Sequence, residues 1–279
     1  MTTTLAAPAA RTATPTARTS FASMTKAEWI SLTSLRGNTI ALIIGAVLVI
    51  APAAGFAFLY GKDVQNAGGD LSQVPWVPSI AGLSGQGLMF GIAVAALIGA
   101  AAIAKEHTTG SLRTQLTAAP RRFTLILAKA TVVALTVFIA TVAILALAFL
   151  AALTVGSVYG LPVGVDDFFF DLVLPILGGG FFAAATSVFA LGLGALLRSE
   201  TWAVTLSLVV LYVLPVLIMT VPWSWAHDVY DVLLFNTGAA ISTPIASFTA
   251  AYVGDLLITL AWAAVAFFGG AAVMNRKDA

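Results

Sequence analysis

The residues of this chain able to do chemistry are few, and where they stand matters more than how many there are. Gly82-Leu83-Ser84-Gly85 has the form of the serine motif of an intramembrane protease, and such a serine needs a histidine base within hydrogen-bond reach. The chain holds two histidines, His107 and His227. His107 follows an apolar stretch that leads from Ser84 to the opposite membrane face, and His227 lies in a loop. Gly82, Ser84 and Gly85 therefore read as a surface for close helix packing. Two histidines and no cysteine exclude a histidine-rich metal cluster, thiol catalysis and a disulfide framework. No Gly-x-x-x-x-Gly-Lys-Ser/Thr run occurs, so the chain has no Walker phosphate loop with which to hydrolyse ATP. What remains are isolated charges in apolar surroundings. Asp255 stands near the start of the last apolar stretch, as a boundary residue or as a candidate pathway residue. Lys129 is close enough to an aqueous edge to snorkel. Glu28 falls inside an apolar stripe.

The elements that hold these charges follow from composition. Of the residues, 60% are hydrophobic and 9% charged, and mean hydropathy is +1.01. A soluble chain is about half apolar and about a quarter charged, so this one takes lipid as its solvent. A helix needs about 20 apolar residues to cross a hydrocarbon core of about 30 Å. Charge-free gaps predict six such spans at about 38–60, 80–104, 130–156, 172–197, 202–221 and 248–273. Val232–Gly254 is also uncharged, yet Asn236, Thr237, Gly238, Ser242, Thr243 and Pro244 interrupt it. Such polarity suits re-entrant segments buried in protein before the sixth span. Gly178-Gly179-Gly180 and Gly192-x-Gly194 read as close-packing faces of the fourth span. The expected fold is an all-α membrane protein with a single transmembrane domain over residues 38–279. Residues 1–19, rich in Ala, Thr and Pro without an apolar run, read as a disordered cytoplasmic tail and not as a secretory signal.

Charge sets the orientation. With six spans, twelve of the thirteen Lys and Arg residues fall on the side of the N-terminus, and Lys62 alone lies opposite. The opposite segments collect Asp63, Asp70, Asp166, Asp167, Asp171, Asp228 and Asp231. Positive residues near span ends stay in the cytoplasm, so both termini are expected there.

Two cytoplasmic stretches stand out. Over residues 20–37, Phe21, Met24, Leu32 and Leu35 fall on one helical stripe, with Lys26, Thr33 and Arg36 elsewhere. This predicts an amphipathic helix in the interface with Trp29 at headgroup depth. Glu28 within the stripe leaves two readings, an anchor whose carboxylate reaches water or a docking element with a basic partner. Between spans two and three, Gly110 breaks the helix, Ser111–Ala119 forms a short helix and Pro120 ends it. A turn, short helix and turn on the cytoplasmic face suits docking to a soluble protein, where the plainer reading is a basic loop that only sets orientation.

The run Glu106, three residues, Gly110-Ser111-Leu112, then Ala119-Pro120-Arg121-Arg122 resembles the cytoplasmic loop of ABC-2 type transporter permeases. Ala27-Glu28-Trp29 with Leu32 and Leu35-Arg36 is similar to the interfacial helix of actinobacterial members. The resemblance runs from about residue 20 to the end. It implies the membrane-spanning half of an ABC exporter, paired with a separate ATPase, with two permeases and two ATPases in the assembly. ATP and Mg would be bound by that ATPase, with no cofactor in this chain and no nucleic acid partner. Gly110, Ser111, Leu112, Arg113, Leu116, Pro120 and Arg121 would form the coupling helix seated in the ATPase, with Glu106 steadying its junction with span two. The polar Val221–Pro244 region would hold re-entrant helices closing the outer gate. An ion-coupled secondary transporter and a non-transporting scaffold are the alternatives. Sparse intramembrane charge and no evident inverted repeat argue against the first, and the coupling-like loop against the second. The mostly apolar interior suits an amphipathic or hydrophobic cargo such as a peptide, drug or lipid.

Overall fold

The computed structural model describes residues 21–34, 36–74, 76–109 and 122–277. They form helices and turns, with no strand among the described residues. The first helix, α1 (Phe21–Ser34), is followed by α2 (Arg36–Asn66). Asp70 caps a 3-10 turn at Leu71–Gln73, and Ser79 caps α3 (Ile80–Ser84), its hydroxyl accepting from the Gly82 N–H. Then come α4 (Leu88–Thr109) and the long α5 (Arg122–Val158). A π turn at Phe168–Val173, capped by Asp167, leads into α6 (Leu174–Leu197). Ser199 caps α7 (Glu200–Leu208), which continues through a second π turn at Val209–Val213 into α8 (Leu214–Met219). Two short helices, α9 (Ser224–Asp231) and α10 (Leu234–Ala240), precede α11 (Ala250–Lys277).

Six stretches are long and apolar enough to cross a membrane: Arg36–Asn66, Ile80–Ile103, Phe123–Val158, Phe168–Leu197, Glu200–Met219 and Ala250–Met274. Their number and order match the charge-free gaps, and their ends differ for physical reasons. The first helix runs past Lys62 and Asp63, because a helix ends where capping and backbone conformation stop it and not at the first charge. The third starts before Lys129 for the same reason. The second breaks between α3 and α4 at Gly85-Gln86-Gly87. There the backbone passes so close to α2 that a side chain on Gly87 would collide with the Val49 carbonyl.

The fourth span forms the centre of the bundle. Of its apolar window 67% is buried, against 22% for the first and fifth. Around α6 pack α4, α5 and α11. Small residues permit this, since at Gly192 a side chain would collide with the Ala266 backbone of α11. The glycines of span four are packing residues, as their spacing suggests. One face of the bundle carries α1; the other carries α3, α9 and α10, and the two are called here the near and far faces.

On the far face, α10 is packed inward. Leu234, Thr237 and Gly238 are buried, and the Thr259 hydroxyl of α11 donates to the Thr237 hydroxyl oxygen at 2.9 Å. Trp262 donates its ring N–H to the Val232 carbonyl at 2.9 Å. Phe235 meets Phe182 of α6 edge to face. Asn236, Thr237 and Ser242 of this stretch hydrogen-bond to backbone carbonyls within it or just before it.

Candidate functional site

On the near face, α1 lies against α5 through Met24, Glu28 and Leu32, spaced four residues apart and buried. Phe21 and Trp29 point elsewhere and are exposed. The protein-facing stripe is thus narrower than the hydrophobic pattern and has a charge at its centre. That charge is answered: the Lys129 ammonium donates to the Glu28 carboxylate at 2.5 Å, with the side chains 5% and 11% exposed. Lys129 does not snorkel. It lies about 10 Å along α5 from Arg122 at helical rise, where its partner is carried in by α1. Glu28 thus meets its basic partner, Lys129, within the same chain.

The joint between α1 and the first span is also pinned. Asn38 is buried and donates its amide to the Leu32 carbonyl at 3.0 Å. Arg36 is exposed and already belongs to α2, so the stretch 20–37 does not form one helix: α1 ends at Ser34. Helix α4 reaches Thr109 and includes the backbone of Glu106. Gly110, Ser111, Leu112, Arg113, Leu116, Pro120 and Arg121 lie outside the described residues, as do residues 1–19. The chain they occupy joins the near-face ends of α4 and α5.

Asp255 is the sixth residue of α11 and half buried, near the far-face end. The charged group acting on it is Asp231 of α9, another carboxylate. Ser84 is buried and donates its hydroxyl to the Ala81 carbonyl at 2.6 Å, while His227 is exposed on α9. Among the described side chains, Ser84 pairs with a backbone carbonyl and not with a histidine.

The sequence reading missed two features. The first is the pairing of Glu28 with Lys129. Its signal was an ionisable residue flanked by apolar ones in a helix able to span, which is a functional candidate by default. The second is a far-face cavity of about 390 Å³ between the α3–α4 turn, the start of α6 and α10. Leu145, Met89, Phe182 and Phe235 contribute its apolar wall, and Ser84, Gln86, Asp171, Ser242 and Thr243 its polar one.

Six membrane-length stretches, the fourth of them the most buried, with an N-terminal helix docked by an ion pair, define a multi-pass α-helical membrane protein. Comparison with known families assigns it further: the ABC-2 family transporter protein family matches residues 24–279, and the chain belongs to it. It is therefore a membrane permease of the ABC transporter class. No curated protein matches the chain. The match begins at Met24, the first buried residue of α1, so the docked helix is part of the family domain.

Proposed function

We propose that this chain is the permease subunit of an ATP-driven exporter, powered by a separate ABC ATPase that docks on the near face, in an assembly of two permeases and two ATPases. The near face is cytoplasmic, both termini lie there, and the membrane is the plasma membrane. The cargo is an amphipathic or hydrophobic molecule. One observation carries the reading: the Glu28–Lys129 pair ties α1 to the base of α5, directly after the segment that resembles a coupling helix. A push on residues 110–121 would reach α4 and α5 together and carry α1 along. On the far face, α9 and α10 serve as re-entrant elements of the outer gate, supported by the burial of α10 against α6 and α11.

The test is recovery of the ATPase. Leu112 and Leu116 share one face of a short helix, and truncating a buried apolar anchor costs about 2 kcal/mol or more, which is over tenfold in affinity. Wild-type permease purified from its native membrane should bring down an ABC ATPase, identified by mass spectrometry. Leu112→Ala with Leu116→Ala should lose it at an unchanged amount of permease. The chain freed of the ATPase should hydrolyse no ATP. Full ATPase recovery with the double variant, or hydrolysis by the isolated chain, overturns the proposal.

A further inference from the structure

The far-face cavity is polar in one sense only. Ser84 donates its hydroxyl to the Ala81 carbonyl at 2.6 Å, Ser242 to Gly238 at 2.7 Å and Thr243 to Ala240 at 2.7 Å. With those protons committed to backbone carbonyls, the three hydroxyls have only lone pairs to offer a ligand. Asp171 adds a carboxylate. Its Oδ2 accepts from the N–H groups of Asp166 and Asp167 at 2.9 and 2.7 Å, and Oδ1 takes no hydrogen bond from a described residue. Gln86 is the one lining side chain whose polar group both donates and accepts, and no Lys, Arg or His is among the described lining residues. The remaining wall is apolar and aromatic, and aromatic faces attract cations and repel anions. The cavity's volume of about 390 Å³ lies in the range of pockets that enclose drug-sized molecules.

We propose that this cavity binds an amphipathic organic ammonium: a protonated amine held by Asp171 and the lone pairs of Ser84, Ser242 and Thr243, on an apolar body lying against Met89, Ile176 and Phe235. An acceptor-rich wall with one carboxylate leaves an anionic head unpaired and repelled, and a bare hydrocarbon leaves the polar groups desolvated without partners. The charges around the mouth act in the same direction, since Asp166 and Asp167 are exposed beside it. The proposal deepens the permease reading by naming a class of cargo. Its role in transport rests on that reading; the binding itself does not. A free amphiphilic amine and the ammonium headgroup of an aminophospholipid share the chemistry.

The experiment uses the full chain in phosphatidylcholine nanodiscs, titrated with dansylcadaverine, a primary ammonium on an apolar ring system, and followed by emission excited through the protein's tryptophans. The matched probe is dansyl-6-aminohexanoate, which carries a carboxylate in place of the ammonium. The ammonium probe should bind saturably and the carboxylate probe should not. Asp171→Asn keeps an oxygen for the two backbone N–H groups and removes the charge, so it should weaken binding about tenfold. Ala239→Phe, which fills the cavity from α10, should abolish binding. Size exclusion and melting temperature verify that each variant is folded. Nanodiscs with phosphatidylethanolamine separate the sources: competition assigns a lipid headgroup, and unchanged binding a free amine. Equal binding of both probes, no effect of Asp171→Asn, wild-type binding by Ala239→Phe, or no saturable binding above lipid partition overturns the proposal. None of these readouts involves the ATPase, so failure here is distinguishable from failure of the coupling assignment.

Discussion

Glu28 and Lys129 are 101 positions apart and meet at 2.5 Å in a nearly dry joint. Removing two charges from water costs several kcal/mol each, and their attraction offsets this only while both are present. Lys129→Met should therefore strand a buried carboxylate and destabilise by about 3–5 kcal/mol. Glu28→Leu together with Lys129→Met leaves an apolar contact between α1 and α5 and should recover most of that loss. The measurement is thermal unfolding of the purified chain, with limited proteolysis to report whether α1 stays docked. A single variant that melts with wild type would show that the pair is not the fastening of α1. The sequence displays half of this device. Glu28 is anomalous within the Met24–Leu32 stripe, and Lys129 is anomalous in an apolar helix. Their partnership is not legible in hydropathy, because a charge reads there as the end of a span and so puts Lys129 outside the third one, whereas the helix runs from Arg122. A contact across so many residues depends on α1 folding back along α5, and no local pattern encodes that.

Helices that span were legible because lipid imposes one requirement, a long apolar stretch, on every one of them. What hydropathy does not register is backbone geometry. It merges α3 and α4 into one span across Gly85–Gly87, and it is silent on the π turns that open α6 and divide α7 from α8. Nor does it say how firmly α10 is held, which depends on close approach. A methyl group at Gly238 would collide with the ring of Phe182, itself 1% exposed and enclosed by its neighbours. Gly238→Ala should cost about 1–3 kcal/mol as an overpacked contact. Gly254 offers the comparison, since nothing lies within 4 Å of its would-be side chain in α11. There Gly254→Ala should be neutral or stabilise by up to about 1 kcal/mol through helix propensity. Melting temperatures of the two variants decide it. Equal behaviour would mean that α10 is not seated against α6 as firmly as the buried contact requires.

The course of the chain through the bundle determines which groups can meet. Helices α9 and α10 have 8 and 7 residues, about 12 Å or less at helical rise against about 30 Å of hydrocarbon. Neither can cross, so the chain returns to the far face before α11 and makes an even number of passages. Lys26, Arg198 and Arg276 then share the near face, and Asp70, Asp166 and Asp228 the far one. That is the division the charge pattern led us to expect, and it was legible because few charges interrupt long apolar runs. Under the positive-inside rule this division would put the near face in the cytoplasm, the orientation proposed above. The chain has no cysteine, so single cysteines can be introduced without removing any. Lys26, Asp166 and Asp228 are exposed positions on α1, before α6 and on α9. In intact cells, a membrane-impermeant maleimide should label Asp166→Cys and Asp228→Cys and leave Lys26→Cys unlabelled until the membrane is permeabilised. Labelling of Lys26→Cys in intact cells would put α1 outside, away from any ATP-driven partner, and would remove the docking face that the permease reading depends on. Labelling of Asp166→Cys but not Asp228→Cys would mean an odd number of passages between them, so that the fourth or the fifth span does not cross and the six-span bundle is wrong.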